Sequence, residues 1–270
     1  MLPASSPLPP ELAAAYNGAL ARASAMRLDL RWYPSVASTM DLAIEAVQTG
    51  AAEGVVFCAD EQTAGRGRRG RTWNSPPGAG LYFSLVLRPA HDHAGDPRVL
   101  ALITLAAGVA VRDAIARATG LVTELKWPND VMLGRRKLAG ILAEGVAIGT
   151  PEQAVVVGVG VNVMRAAYPA DIDARAISLE AELGRGVDRA VLLEELLVSL
   201  AARYDGLRRG DADDILRAWR AAAPSAQGAR VEIVDAGRSG VTAGVDDSGA
   251  LLIRTDAGIE RVIGGELRWL

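Results

Sequence analysis

The stretch TAGRGRRGRTWNSPPGAG, Thr63 to Gly80, sets four guanidinium groups, Arg66, Arg68, Arg69 and Arg71, among Gly65, Gly67 and Gly70, with Trp73 close behind. Arginine offers a planar fork of donors that matches a carboxylate or a phosphate, and glycine lets a backbone come close to a ligand. Cations packed this tightly repel one another, so the loop is expected to be poorly ordered until an anion arrives. The same composition also fits a solvated basic loop or an RGG-like segment that holds nucleic acid. The spacing lacks the G-x-x-x-x-G-K-[ST] of a Walker loop. GRGRRG satisfies G-x-G-x-x-G as a string, but it leads into a strand, whereas a dinucleotide fingerprint opens a helix.

A second stretch, KWPNDVMLGRRKLAGILAEG, runs from Lys126 to Gly145. Pro128 stiffens a turn that presents Asn129 and Asp130, and Lys126 and Lys137 flank it. Two ammonium groups and a carboxylate near an arginine loop suit a site handling a polyphosphate with its metal ion. They equally suit an ordinary turn with solvated lysines.

The elements that must position these groups can be read from periodicity and punctuation. STMDLAIEAVQTG (Ser38 to Gly50) reads as a short helix, with Ser38 or Thr39 as N-cap and Gly50 as stop. GVVFCAD reads as a buried strand before the loop, and LYFSLVLRP (Leu81 to Pro89) as a strand after it. Pro97 to Gly120 is the longest helix, with proline in its first turn. LVTELKW is strand-like, and DVMLGRRKLAGILAEGVAIG is a hairpin turning at Gly134 and Arg135. AVVVGVGVNV (Ala154 to Val163) is another strand. DRAVLLEELLVSLAARYDGLRRG and DADDILRAWRAAAP are amphipathic helices. Residues 1 to about 10 read as a loose tail. After Pro224 come four or five short strands between turns rich in Gly, Asp and Ser, the size of a small β-barrel. The expected division is 1–224 and 225–270.

Composition narrows the classes. Half of the 270 residues are hydrophobic and the net charge is -3, which permits a large core and argues against a generic nucleic-acid-coating protein. The single cysteine, Cys58, excludes an intrachain disulfide framework, and its apolar surroundings predict a buried thiol. The N-terminus lacks the basic start and apolar run of a signal peptide, and no stretch approaches the ~20 apolar residues that span a bilayer. A cytoplasmic protein is expected. His91 and His93 with Asp92 and Asp96 follow a strand-ending proline and read as a solvated turn rather than a metal site.

Taken in order, STMDLA, DEQTAGRGRRGRTWNSPPGAGLYFSLVLRP, KWPNDV, RKLAGILAE and VGVGVNV resemble the biotin–protein ligases. GVDDSGALLIRT and GGELRWL resemble that family's small SH3-like C-terminal domain. The resemblance implies an α+β fold: a mixed sheet with flanking helices, class II synthetase-like, plus a small SH3-like β-barrel. It implies ATP and biotin as substrates, Mg²⁺, and a biotin carboxyl carrier domain of a carboxylase as acceptor. Biotin's carboxylate would attack the α-phosphorus of ATP to give biotinyl-5′-AMP, and an acceptor lysine would then take the biotinyl group.

Carried over residue by residue, Ser38, Thr39 and Gln62 would bond the biotin ureido group, with Met40 beside them and the Gly65–Arg66 backbone near. Met40 stands where the family often has asparagine, so no side-chain amide is available there. Arg66, Gly67 and Arg68 would fold over biotin as an anion-triggered lid. Arg68 and Arg71 would hold phosphates, and Trp73 would wall the adenylate. Lys137 would be the central cation, with Lys126 sharing the charge. Asp130 would position Mg²⁺ or the incoming amine, Asn129 and Gly140 would line the nucleotide site, and Asn162 would read the adenine. About 30 residues precede these motifs, too few for a winged-helix domain, so no sequence-specific DNA binding is expected; nor is membrane binding, and a monomer or weak homodimer is expected. A lipoate–protein ligase is the nearest rival, and a non-catalytic RNA- or single-strand-binding module is a rival of another class.

Overall fold

The computed structural model describes residues 2–23, 26–89, 98–165, 172, 174–265 and 267–270. Seven strands form one mixed sheet: β1 (Asp29–Val36), β2 (Val55–Gln62), β3 (Gly80–Leu87), β4 (Glu124–Lys126), β5 (Asp130–Leu133), β6 (Arg136–Val146) and β7 (Ala154–Asn162). Their order is β1-β2-β3-β7-β6-β5-β4; β1 runs parallel to β2 and the other ladders are antiparallel.

The sequence of β7, AVVVGVGVN, shows how the sheet divides its labour. Side chains alternate across a strand, so Val157, Val159 and Val161 share a face with Leu85, Phe83 and Leu81, their partners on β3. All six are buried in the main core. That core also takes side chains from α1 (Pro10–Arg22), α3 (Val99–Thr119), α4 (Leu179–Leu183), α5 (Arg189–Arg208) and α6 (Ala212–Ala222). Burying each such leucine or valine is worth about 1.5–3 kcal/mol. The opposite face carries α2 (Thr39–Gln48), whose Ala43, Ala46 and Val47 join Val55, Phe57, Val86 and Val156 in a smaller cluster. Gly158 and Gly160 lie on this second face, and so does the candidate site.

Three points bear on the expectations. Residues 10–36 hold α1 and β1, neither of which was expected, and Ser6 N–H donates to Trp32 O at 2.9 Å, so the start of the chain is tied to β1. The 21-residue α3 is long and apolar enough to cross a bilayer by length and composition, contrary to the expectation that no stretch comes close. It is apolar on most sides because it packs against α5, α6 and the sheet, so little of it faces water. The helix starts at Val99; Pro97 and the group His91, Asp92, His93 and Asp96 lie outside the described residues.

The C-terminal strands β8 (Gln227–Ile233), β9 (Arg238–Val245), β10 (Leu251–Thr255), β11 (Gly258–Val262) and β12 (Leu267–Trp269) form an antiparallel sheet in the order β11-β10-β9-β8-β12. The third point is one of closure: the antiparallel sheet agrees with the expected small SH3-like domain, and among the described residues no ladder joins β11 to β12. Its inward residues Val231, Ile233, Val245, Leu251 and Ile253 belong to the same apolar cluster as Leu102 and Leu105 of α3.

Candidate active site

Between β2 and β3 the Arg-Gly segment folds into a narrow hairpin. Trp73 N–H donates to Gly65 O at 2.8 Å, and Gly67 N–H donates to Arg71 O at 2.7 Å. At its tip Arg69 and Gly70 both take left-handed backbone, with φ of 58° and 72°. A Cβ on Gly65 would run into the Trp73 carbonyl oxygen, so the two legs close only with glycine there.

The charge of the hairpin is partly matched. Arg66 donates from Nη1 to Asp41 Oδ1 of α2 at 2.9 Å and from Nη2 to Glu144 Oε1 of β6 at 2.6 Å. These two carboxylates tie Arg66 to α2 and β6. Arg68 donates to Asn129 Oδ1 at 3.3 Å. Burial lowers the Arg68 pKa; Asp130 opposes this, while repulsion from Arg69 and Arg71 adds to it. An open cleft of about 390 Å³ lies along the hairpin, lined by residues 64–72 with Leu142 and Glu144.

Behind the hairpin, Gly140 of β6 pairs with Gly160 of β7, and the Trp73 indole lies on both. A Cβ on Gly160 would stand 2.5 Å from Trp73 Cε2 and Nε1, and one on Gly140 would stand 2.9 Å from Cζ3. Lys137 reaches the same spot by a local irregularity. Val131 pairs with Ala139 but Met132 pairs with Lys137, which leaves Leu138 as an extra residue in β6. Such a bulge re-aims a side chain; here it turns Lys137 onto the face of Gly140. Lys137 Nζ sits 2.6 Å from Asp130 Oδ1 and 5.2 Å from the centre of the Trp73 ring. The Asp130 contact is an ion pair without hydrogen-bond alignment.

A polar network closes the other end. Gln62 Oε1 accepts from Thr39 N–H at 2.9 Å and Thr39 Oγ1 at 3.1 Å, and Gln62 Nε2 donates to Ser75 Oγ at 2.9 Å. Thr39 Oγ1 and Ser84 Oγ share a bond of 2.9 Å. Ser38 stands at the N-cap of α2, yet its side chain makes no capping bond. Its hydroxyl is buried without a hydrogen-bond partner among the described residues, as is Trp73 Nε1.

An inner pocket brings together Thr39, Met40, Gln62, Arg66, Gly67, Arg68, Trp73, Asn129, Lys137 and Gly140 of the expected residues. Gly65 and Arg71 line the outer cleft. Ser38 precedes Thr39 in the chain. Asp130 pairs with Lys126 and with Gly140 in the flanking ladders. Asn162 is buried at the end of β7, and its Nδ2 donates to Ile177 O at 3.1 Å and Lys137 O at 3.4 Å. Asn129 likewise spends its amide on Ile141 O at 2.7 Å, which leaves its oxygen to hold Arg68.

Sequence reasoning missed Asp41, Glu144, Ser75 and Ser84, single polar residues with no local motif. It also left Gly158 and Gly160 unassigned, although the Val-Gly alternation of β7 marks them. Among the described residues no three His, Cys, Asp or Glu side chains cluster to hold a metal ion. Cys58 is fully buried, and burial pushes its pKa up to about 12, the behaviour of an inert thiol.

A mixed sheet with fixed cations beside a pocket on one face and a small antiparallel sheet at its end defines an α+β enzyme scaffold suited to anionic reactants. Residues 32–162 match the model of the biotin/lipoate A/B protein ligase family, and residues 230–267 match that of the biotin protein ligase C-terminal domain. The chain is 38% identical over 215 residues to a biotin–[acetyl-CoA-carboxylase] ligase of Paracoccus denitrificans, covering 77% of this chain and 88% of the relative. It is 33% identical over 241 residues to the bifunctional ligase/repressor BirA of Bacillus subtilis, covering 88% and 73%. The biotin protein ligase of Aquifex aeolicus, solved in complex with biotin and ATP, superposes with a TM-score of 0.74 at 29% identity, covering 90% of this chain and 98% of that one. The chain belongs to the biotin/lipoate A/B protein ligase family.

Proposed function

We propose that the protein is a biotin–protein ligase: it joins biotin to ATP as biotinyl-5′-AMP and passes the biotinyl group to a lysine of a biotin carboxyl carrier domain, as in acetyl-CoA carboxylase. The observation that carries this reading is the meeting of Lys137, Asp130 and Arg68 around Trp73 on the glycine floor, beside a pocket lined by Thr39 and Gln62; the adjoining Ser38 hydroxyl is buried with no hydrogen-bond partner among the described residues. A buried hydroxyl left unbonded costs about 1–3 kcal/mol, and the ureido oxygen of biotin would satisfy it. Thr39 and Gln62, locked by Ser75 and Ser84, would frame that group, and Met40 would supply apolar contact.

In the first step a carboxylate oxygen of biotin bonds to the α-phosphorus while the bond to pyrophosphate breaks. Two anions must approach, so fixed positive charge is the main requirement. One unit charge about 4 Å away is worth about 4 kcal/mol at an effective dielectric of 20. Lys137 is the central cation in this reading, with Arg68, Lys126 and Arg71 on the phosphates. Arg66, Gly67 and Arg68 would close over the anhydride and keep water out, with the Gly65 backbone close by. Asn129 and Asn162 act at one remove, holding Arg68 and the Lys137 backbone. Mg²⁺ commonly keeps one or two carboxylates and substrate phosphates as ligands, and Asp130 would hold it here; the ion would supply further charge neutralisation. In the second step the acceptor amine bonds to the acyl carbon, AMP leaves and the amine loses a proton.

ATP–pyrophosphate exchange, run with biotin and with lipoate in parallel, tests the reading. Exchange is expected with biotin. Exchange with lipoate alone, or with neither, overturns it.

A further inference from the structure

Lys126 and Trp127, consecutive residues at the end of β4, are both engaged by the C-terminal sheet. Trp127 Nε1 donates to Gly249 O at 3.0 Å, in the turn between β9 and β10. Lys126 Nζ lies 5.0 Å from the centre of the Trp269 ring on β12. Trp269 is itself fixed: it pairs with Val231 of β8 and packs against the main core. Among the described residues no hydrogen bond or ion pair restrains Lys126 Nζ, so the indole is its defined partner. A lysine carries about 2 kcal/mol of rotamer entropy, and tryptophan is the best aromatic seat for an ammonium group. Lys126 also faces Asp130 across the β4–β5 ladder, which puts it at the edge of the cation group around Lys137. Burial lowers the Lys126 pKa; Asp130 opposes the shift, and Lys137 and Arg135 add to it.

We propose that Trp269 is a positioning residue for nucleotide activation: its ring face seats the Lys126 ammonium beside the phosphates, so the C-terminal sheet completes the catalytic face. This rests on the ligase reading above. The competing account is that Trp269 only fills space, and the two differ in what a leucine can replace. Leucine keeps apolar bulk without a π face, whereas phenylalanine keeps the face.

Trp269→Leu and Trp269→Phe should be compared in the wild type and in a Lys126→Met background, by biotin-dependent ATP–pyrophosphate exchange. Trp269→Leu is expected to lower kcat/KM for ATP about tenfold, within the ~0.5–2 kcal/mol of a cation–π contact. KM for biotin should stay within about twofold. Trp269→Phe should recover most of the loss, and Trp269→Leu should cost little more once Lys126 is methionine. Arg268→Ala, exposed on the same strand, should leave exchange unchanged and its fold intact. Equal losses in both backgrounds, or none in either, overturn the proposal.

A second arm needs no turnover: acylation of Lys126 by an activated ester, followed by peptide mass spectrometry. Faster labelling in Trp269→Leu than in the wild type supports the seat, and equal rates overturn it. Absence of exchange in the wild type would count against the ligase reading itself, while the labelling would still decide whether the indole holds the lysine.

Discussion

Gly160→Ala is the sharpest test of the glycine floor. The new Cβ would stand 2.5 Å from Trp73 Cε2 and Nε1, where ordinary contact begins at 3.4 Å, so the indole must retreat by about 0.9 Å. The indole is rigid, and the Trp73 N–H bond to Gly65 O makes the Arg-Gly hairpin move with it. Overpacking of this kind costs about 1–3 kcal/mol, or roughly 2–12 °C in Tm at about 2–4 °C per kcal/mol for a chain near this size. The effect on chemistry should be larger, because a displacement near 1 Å of groups that align reactants costs about 100-fold.

Gly158→Ala supplies the contrast. Its Cβ would meet Met40 Sδ at 2.7 Å and Cγ at 3.0 Å, the far part of a flexible side chain that can swing aside. Pyrophosphate exchange and thermal melts on both variants decide the matter. Gly160→Ala should fold with exchange about 100-fold down, and Gly158→Ala should lose at least tenfold less. Replacing Trp73 by leucine should restore the Tm of Gly160→Ala. Similar rates for the two glycine variants would refute the argument that Trp73 rests on Gly160.

Lys137→Met removes the central cation and is expected to slow pyrophosphate release about 1000-fold, the equivalent of about 4 kcal/mol, with an unchanged circular dichroism spectrum; near-normal release would strip Lys137 of that role. Glu144→Gln frees one end of Arg66, so trypsin should cut near Arg68 faster than in the wild type, and biotinyl-5′-AMP should slow the cut; equal cleavage with and without the adenylate would rule out a lid. For Asp246, burial favours the neutral acid, but the Arg261 guanidinium and the N–H and O–H groups of Ser248 and Ala250 prevail and hold its pKa down to about 2 from 3.8. Its contribution to stability is therefore complete above about pH 4 and lost as pH falls towards 2, so the Tm gap between wild type and Asp246→Ala should shrink across that window.

What the linear string discloses depends on how local each feature is. The Arg-Gly run, Lys126-Trp-Pro-Asn-Asp and the Val-Gly alternation of β7 are contiguous, so their chemistry and faces are legible residue by residue. Glu144 is not: it meets Arg66 from 78 positions away. The extra Leu138 is equally hidden, because an unbroken alternation would send Lys137 and Gly140 to opposite faces, and only the pairing with β5 reveals otherwise. The hold of Asn162 on the carbonyls of Lys137 and Ile177 is hidden as well, because those partners lie 25 and 15 positions away. Pro34 inside β1 and the prolines before α1 mask those two elements, since proline normally argues against a strand or marks a loose segment.

The turn carrying Gly249 sits directly on α3: a Cβ there would stand 2.8 Å from Leu105 Cδ1 and 3.0 Å from Leu102 Cδ2. The last sixth of the chain is thus a keel rather than a rudder, and it cannot be trimmed off while the hull stays whole. A premature stop codon in that stretch would yield a chain with an open wound in its interior, bound for degradation, instead of a weakened enzyme lingering in the cell.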